Sequence, residues 1–194
     1  ETTANAAAGG TVVRAPLRAR ASWMLFDWAA QPYYTLVQTF LFAPYFANMV
    51  AASPTHGQTM WGYAAATAGL LIAIISPFLG AVADGRGRRK VWMMVLSLMF
   101  LLGLCTLWLA VPGASSSTIF VVLAGFVLAT LAAELMAVFS NAIMTGLAPK
   151  DELGRLSGAG WAVGYFGGLA SLALVAGFLV PLPPEGEVSV SSAF

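Results

Sequence analysis

The sequence predicts an all-α integral membrane protein, and three observations support that fold class. Of its 194 residues, 59% are hydrophobic and only 9% are charged, whereas a typical soluble domain has about 25% charged residues. Apolar runs of about 20 residues recur, and each is long enough to cross a hydrocarbon core about 30 Å thick. The basic residues lie between these runs rather than within them. This composition excludes a disordered chain and disfavours a soluble globule, which needs more charge on its surface.

Five membrane spans are predicted in order along the chain. A polar tail at residues 1–21 becomes basic just before the first span, which is too long for a signal peptide and is therefore expected to be retained. Turn-rich segments at 51–60 and 112–117 separate later spans, and 182–194 is predicted to be an extracytoplasmic loop. The transmembrane domain is predicted at 22–181, with spans at about 22–50, 61–83, 91–111, 118–147 and 156–180.

The distribution of the nine basic residues predicts the orientation in the membrane. Three precede the first span, four lie between the second and third, and two flank the start of the fifth, while the intervening loops contain none. With five alternating spans, all nine therefore fall on one side. Because Lys and Arg are enriched in cytoplasmic loops, we expect a cytoplasmic N-terminus.

The first span carries a polar stripe. Asp27, Gln31, Tyr34 and Gln38 are spaced by 4, 3 and 4 residues, which places them on one face of an α-helix. Such a face is unfavourable against lipid, so we expect it to line a substrate cavity or to take part in proton coupling. The alternative is a set of hydrogen bonds to neighbouring helices.

The fourth span carries an acid near its middle. Glu134 lies about 20 Å from the predicted cytoplasmic end, and Asn141, seven residues later, shares its face. None of the Lys or Arg residues is at membrane depth to pair with this carboxyl group, so its protonated form is favoured. We therefore expect Glu134 to exchange a proton near neutral pH, in proton coupling or in binding a substrate amine. The alternative is a neutral structural hydrogen bond.

Glycines form a smooth strip on the fifth span. Gly160, Gly164 and Gly168 recur every four residues, and Gly167 widens the strip. Small residues at this spacing let two helix backbones approach closely. We expect this strip to pack against another helix.

No motif in the sequence predicts catalysis, a metal site or nucleic-acid binding. It has no phosphate-binding loop, no nucleophile elbow and a single cysteine, so neither an intrachain disulfide nor a cysteine-rich zinc site is expected. The net charge of +1 is too small to suggest nucleic acid as a partner. We expect no enzyme activity and no cofactor, with the lipid bilayer and a small-molecule substrate as partners.

The loop after the second span resembles a signature of the major facilitator superfamily. That signature has the form G-x-x-x-D-R-x-G-R-R/K, and Gly85 stands where the family usually has arginine. The resemblance implies that this loop is a conformational latch between the two halves of a transporter. The matching residues are Gly80, Asp84, Gly87, Arg88 and Arg89.

Longer segments resemble one branch of that superfamily, the vacuole-effluxer-like or unknown major facilitator family. The segments SWMLFDWA at 22–29 and TFLFAPYF at 39–46 are similar to its first helix. The segments at 141–149 and 154–168, the latter reading GRLSGAGWAVGYFGG, are similar to its signature across helices 4 and 5.

This resemblance implies a twelve-helix secondary transporter made of two six-helix halves, with helices 1 and 4 lining a central cavity. The chain would then be an N-terminal fragment with five helices of the first half, and the missing C-terminal half would be its partner. The implied function is alternating-access transport or efflux of small solutes, amino acids among them, in a bacterial inner membrane. Two alternatives stay open: a drug or sugar exporter of the same fold, and a non-transporting membrane scaffold or receptor.

Overall fold

Five helical regions make up nearly all of the protein that the computed structural model describes, residues 14–84 and 89–178. Helices are the expected solution in lipid, because they satisfy their backbone hydrogen bonds within one segment. The first helix is a composite of four consecutive pieces, Leu17–Pro32, Tyr33–Phe40, Phe42–Tyr45 and Phe46–Val50. The second to fifth helices are Pro54–Asp84, Arg89–Leu107, Ser116–Met144 and Leu153–Phe178.

Four of these helices are long and apolar enough to cross a membrane as continuous segments. The first helix does not count among them, because its longest regular piece has 16 residues. The all-α fold class is confirmed, and the five-span topology stays a prediction. Within the described residues the four segments are Pro54–Gly80, Arg89–Leu107, Ser116–Met144 and Leu153–Phe178.

Two connections between helices differ in length from the predicted loops. The one before the second helix is shorter, whereas the one between the third and fourth helices, residues 108–115, is longer than the predicted loop at 112–117. The second helix begins at Pro54, so only three residues join it to the first, in place of the predicted loop at 51–60. The Ser53 hydroxyl accepts a hydrogen bond from the His56 amide at 3.3 Å, and proline suits the first position of a helix. Ser115 caps the fourth helix in the same way, accepting from the Thr118 amide at 3.2 Å.

The first helix changes its winding after Pro32. The prolines at 32 and 44 have no amide hydrogen to donate, and the chain between them departs from regular α-helix. Residues Tyr33–Phe40 are π-helical, with hydrogen bonds spanning five residues instead of four. The Leu41 amide, for example, donates to the Leu36 carbonyl at 2.9 Å. Side chains after Pro32 therefore no longer follow the α-helical period.

The fourth helix forms the centre of the bundle. In its most apolar stretch 56% of the residues are buried, compared with 11–17% in the second, third and fifth helices. Phe126 packs against Trp61 of the second helix with ring centroids 3.9 Å apart, and Phe139 stacks on Trp92 of the third. This arrangement fixes the depth and orientation of the polar side chains that the fourth helix carries.

The first helix packs against the fourth and the fifth at its N-terminal end. The Trp23 indole is 7% exposed and donates a hydrogen bond to the Ser140 carbonyl at 3.0 Å. Just before the helix, the Arg14 guanidinium binds both carboxylate oxygens of Glu152, in the connection between the fourth and fifth helices. These contacts bring the first, fourth and fifth helices together around one space.

Candidate solute cavity

A cavity of about 370 Å³ lies between the first, fourth and fifth helices. Carboxylate, amide and hydroxyl groups share its walls with aromatic rings. Its lining residues are Phe26, Asp27, Ala30, Gln31 and Tyr34 of the first helix, Ala133, Glu134, Ala137 and Asn141 of the fourth, and Trp161, Gly164 and Tyr165 of the fifth.

The structure brings five of the six predicted cavity residues to this one space. Asp27, Gln31 and Tyr34 lie one turn apart on the first helix, while Glu134 and Asn141 face them from the fourth. The roles of these residues in solute binding and in proton coupling stay predictions.

Gln38 is the predicted cavity residue that does not line the cavity. It lies near the Tyr33 hydroxyl, and its amide nitrogen is buried without a hydrogen-bond partner among the described residues. The reason is the π-helical winding of Tyr33–Phe40, which uses more residues for each turn. Gln38 is therefore rotated away from the face that it would share with Asp27 and Gln31 in an α-helix, and the predicted stripe ends at Tyr34.

Glu134 lies deep in the fourth helix and interacts with Tyr34. Ten residues separate it from the Met144 end of the helix, a distance of about 15 Å along the axis. Its side chain is partly buried, and its carboxylate interacts electrostatically with the Tyr34 hydroxyl. Both Glu134 and Asp27 act electrostatically on Tyr34, so both carboxylates lie near its hydroxyl group.

The glycine strip of the fifth helix lies against the first helix. Gly160, Gly164, Gly167 and Gly168 are all buried. A methyl group added to Gly160 would come within 2.6 Å of the Trp23 ring, and one added to Gly164 would contact Asp27 at 3.5 Å. The strip thus leaves room for the Asp27 side chain beside the fifth helix.

Aromatic residues of the fifth helix line the cavity although the sequence patterns did not identify them. Trp161 and Tyr165 each follow a glycine of the strip, and their ring centroids are 5.6 Å apart. Both rings are more than half exposed in this part of the protein. The signal in the sequence was that the two residues are four apart and each comes one position after a glycine of the strip. This offset places both side chains at the edge of the packed strip.

A buried hydrogen bond between the first and fourth helices was also missed. The Tyr33 and Thr130 hydroxyls are 2.7 Å apart, and the two residues are 5% and 9% exposed. Thr130 lies one turn before Glu134, so this bond ties the carboxylate's helix to the first helix. The signal in the sequence was the four-residue spacing of Thr130 and Glu134.

The predicted latch loop is only partly visible. Gly80 and Asp84 lie in the last turns of the second helix, and Arg89 begins the third. Gly87 and Arg88 lie outside the described residues. The latch function stays a prediction.

The described residues contain no group of three or more His, Cys, Asp or Glu side chains arranged to hold a metal ion. The groups that the cavity offers to a ligand are carboxylates, amides, hydroxyls and aromatic rings. Carboxylates accept protons or attract cations, amides hydrogen-bond in both directions, and aromatic faces attract cations.

Comparison with known proteins gives one curated relative and a family. The chain is 26% identical over 180 residues to a Bacillus subtilis (strain 168) protein described as "Uncharacterized MFS-type transporter YxiO". The aligned region covers 89% of this chain and 40% of that protein. The chain thus spans well under half the length of this relative. No solved structure matches this chain at a significant level. The family model described as Major Facilitator Superfamily matches residues 32–184, most of the chain. The chain belongs to the Major Facilitator Superfamily.

Proposed function

We propose that the full-length protein is a secondary transporter that moves small solutes across the membrane by alternating access. The observation that carries this proposal is the cavity at membrane depth, into which Asp27, Gln31 and Glu134 project. Ionisable groups inside a membrane bundle are costly, and they mark substrate and proton pathways. The matching family consists of transporters, and the cavity offers binding groups without a catalytic constellation among the described residues.

Glu134 is the proposed proton-coupling site. It lies about 15 Å inside the fourth helix, and the cavity around it contains Asp27, Tyr34 and Tyr165 as its other titratable groups. A carboxyl group that alternately faces the two sides of the membrane can carry a proton in one direction as a solute moves. The solute then moves against its own gradient at the expense of the proton gradient.

The remaining features of the transporter belong to the same proposal. The positions of the basic residues favour a cytoplasmic N-terminus, and the Bacillus relative is consistent with a bacterial inner membrane. The relative is more than twice as long as this chain, which supports a second half that completes the cavity. The sequence resemblance implies efflux of amino acids, so amino acids are one of the solute classes to be tested.

Solute flux in proteoliposomes that contain the full-length protein tests this function. The panel is amino acids, sugars and organic drugs, each measured with and without an imposed pH gradient. We expect at least one solute to move only when the protein is present and to move faster with the gradient. Absence of flux for every solute, together with a protein partner recovered in pull-downs, would instead support a scaffold or receptor.

A further inference from the structure

The charge of the cavity distinguishes between classes of small solute. Two of its twelve lining residues are carboxylic acids, Asp27 and Glu134, and none is Lys or Arg. In a low-dielectric surrounding, walls of one sign concentrate ions of the opposite sign. With both acids ionised, this wall of the cavity therefore favours cations over a solute's carboxylate.

The cavity also offers hydrogen-bond acceptors for an ammonium group. Gln31 and Asn141, whose amide oxygens can accept hydrogen bonds, line the same space as the two acids. An ammonium group has up to three N–H donors, and its hydrogen bonds to carboxylates are among the stronger kinds in proteins. Several carboxylate and amide oxygens can therefore accept hydrogen bonds from the same ammonium group.

The aromatic wall suits an apolar body attached to that ammonium group. Phe26, Tyr34, Trp161 and Tyr165 all line the cavity, and the last two form a pair with an angle of 41° between their ring planes. Tryptophan and tyrosine faces attract cations within about 6 Å of the ring centre and also bury apolar surface. A volume of about 370 Å³ is within the usual range for small-molecule sites.

We propose that this cavity selects organic cations, with the solute's ammonium group held by Asp27 and Glu134 and its apolar body packed against Trp161 and Tyr165. The inference rests on the proposed transport function and names the substrate class of the same site. It distinguishes simple amines from amino acids, since an amino acid brings a carboxylate toward two acidic side chains.

Three matched probes test the inference by their binding to the purified full-length protein in detergent. Phenethylamine is a cation, phenylalanine adds a carboxylate to it, and 2-phenylethanol replaces the ammonium group with a neutral hydroxyl. We expect phenethylamine to bind at least about tenfold more tightly than either of the others, measured by calorimetry. Equal affinities, or tighter binding of phenylalanine, would overturn the inference without any variant being needed.

Variants then assign the selectivity to named side chains. Asp27→Asn and Glu134→Gln should each weaken phenethylamine binding at least about tenfold and leave 2-phenylethanol unchanged. Asp151→Asn, which changes an exposed acid outside the cavity, is the control. Tyr165→Leu should weaken phenethylamine about threefold or more, whereas Phe166→Leu, an exposed ring that does not line the cavity, should not. Unchanged selectivity in the two acid variants would contradict the assignment.

The outcomes separate this inference from the transport function on which it rests. If the protein transports a neutral or anionic solute and binds phenethylamine no better than 2-phenylethanol, the substrate class is wrong and the transport function stands. If phenethylamine binds selectively but no solute of any class moves, the selectivity stands and the transport function is wrong.

Discussion

Replacing Glu134 with glutamine in the full-length protein is expected to lower proton-driven solute flux at least about tenfold. Glutamine keeps the size and much of the hydrogen bonding of glutamate, but it cannot release a proton. Glu134 is only partly buried, so the fold around the cavity should persist in the variant. The measurement is the initial rate of solute flux in proteoliposomes under an imposed pH gradient, for any solute that the unmodified protein moves.

Two comparisons make the Glu134 result specific. Asp151→Asn removes an exposed carboxylate outside the cavity and should leave flux unchanged. Size-exclusion chromatography shows whether each variant remains folded and monodisperse. A Glu134→Gln protein with the rate and pH profile of the unmodified protein would show that this carboxyl group takes no part in coupling.

Replacing Gly103 with alanine is expected to destabilise the bundle by about 1–3 kcal/mol. Gly103 is buried where the third helix crosses the fourth. A methyl group there would come within 2.5 Å of the Gly125 carbonyl oxygen and 2.8 Å of the Ala129 amide nitrogen. Both are backbone atoms, which cannot move aside as a flexible side chain can. The two helices would have to separate, and the packing around the central fourth helix would loosen.

A matched glycine in the second helix provides the control for Gly103. Gly69 is exposed, and a methyl group there would meet nothing within 4 Å. Alanine favours helix by about 1 kcal/mol relative to glycine, so Gly69→Ala should leave stability unchanged or raise it. Thermal unfolding in detergent compares the two variants. Equal unfolding midpoints for Gly103→Ala and Gly69→Ala would mean that the close crossing does not contribute to stability.

The polar stripe of the first helix illustrates what periodicity predicts and where it stops. Asp27, Gln31 and Tyr34 meet at one cavity because the chain is regular α-helix as far as Pro32, and Tyr34 follows closely after it. Gln38 lies elsewhere because the π-helical winding changes the period. The sequence contains the proline that disrupts the α-helix, but the length of the π-helical stretch depends on packing against other helices.

The glycines illustrate a second limit of sequence patterns. The strip from Gly160 to Gly168 is recognisable because its members recur every four residues along one helix. The contact between Gly103 and Gly125 is as close as the contacts of this strip with the first helix, but the two glycines lie on different helices and belong to no repeat. Pairing them requires knowing which faces of the third and fourth helices meet, which is a tertiary property. The same holds for Trp161 and Tyr165, whose place in the cavity depends on how the fifth helix rotates against the first.

Thiol labelling in membranes tests the central claim, that Glu134 lies in a water-accessible cavity within the bundle. The starting protein is the full-length chain with Cys105 and any other native cysteine replaced by serine. Single cysteines are then placed at Ala30 or Ala137, which line the cavity, or at Leu70 or Leu98, which are 63% and 58% exposed but do not line it. The account predicts that a water-soluble, membrane-impermeant maleimide labels the cysteines at 30 and 137 and not those at 70 and 98, which lie on membrane-spanning helices outside the cavity. Labelling at Leu70 and Leu98 that equals or exceeds labelling at Ala30 and Ala137 would contradict the cavity.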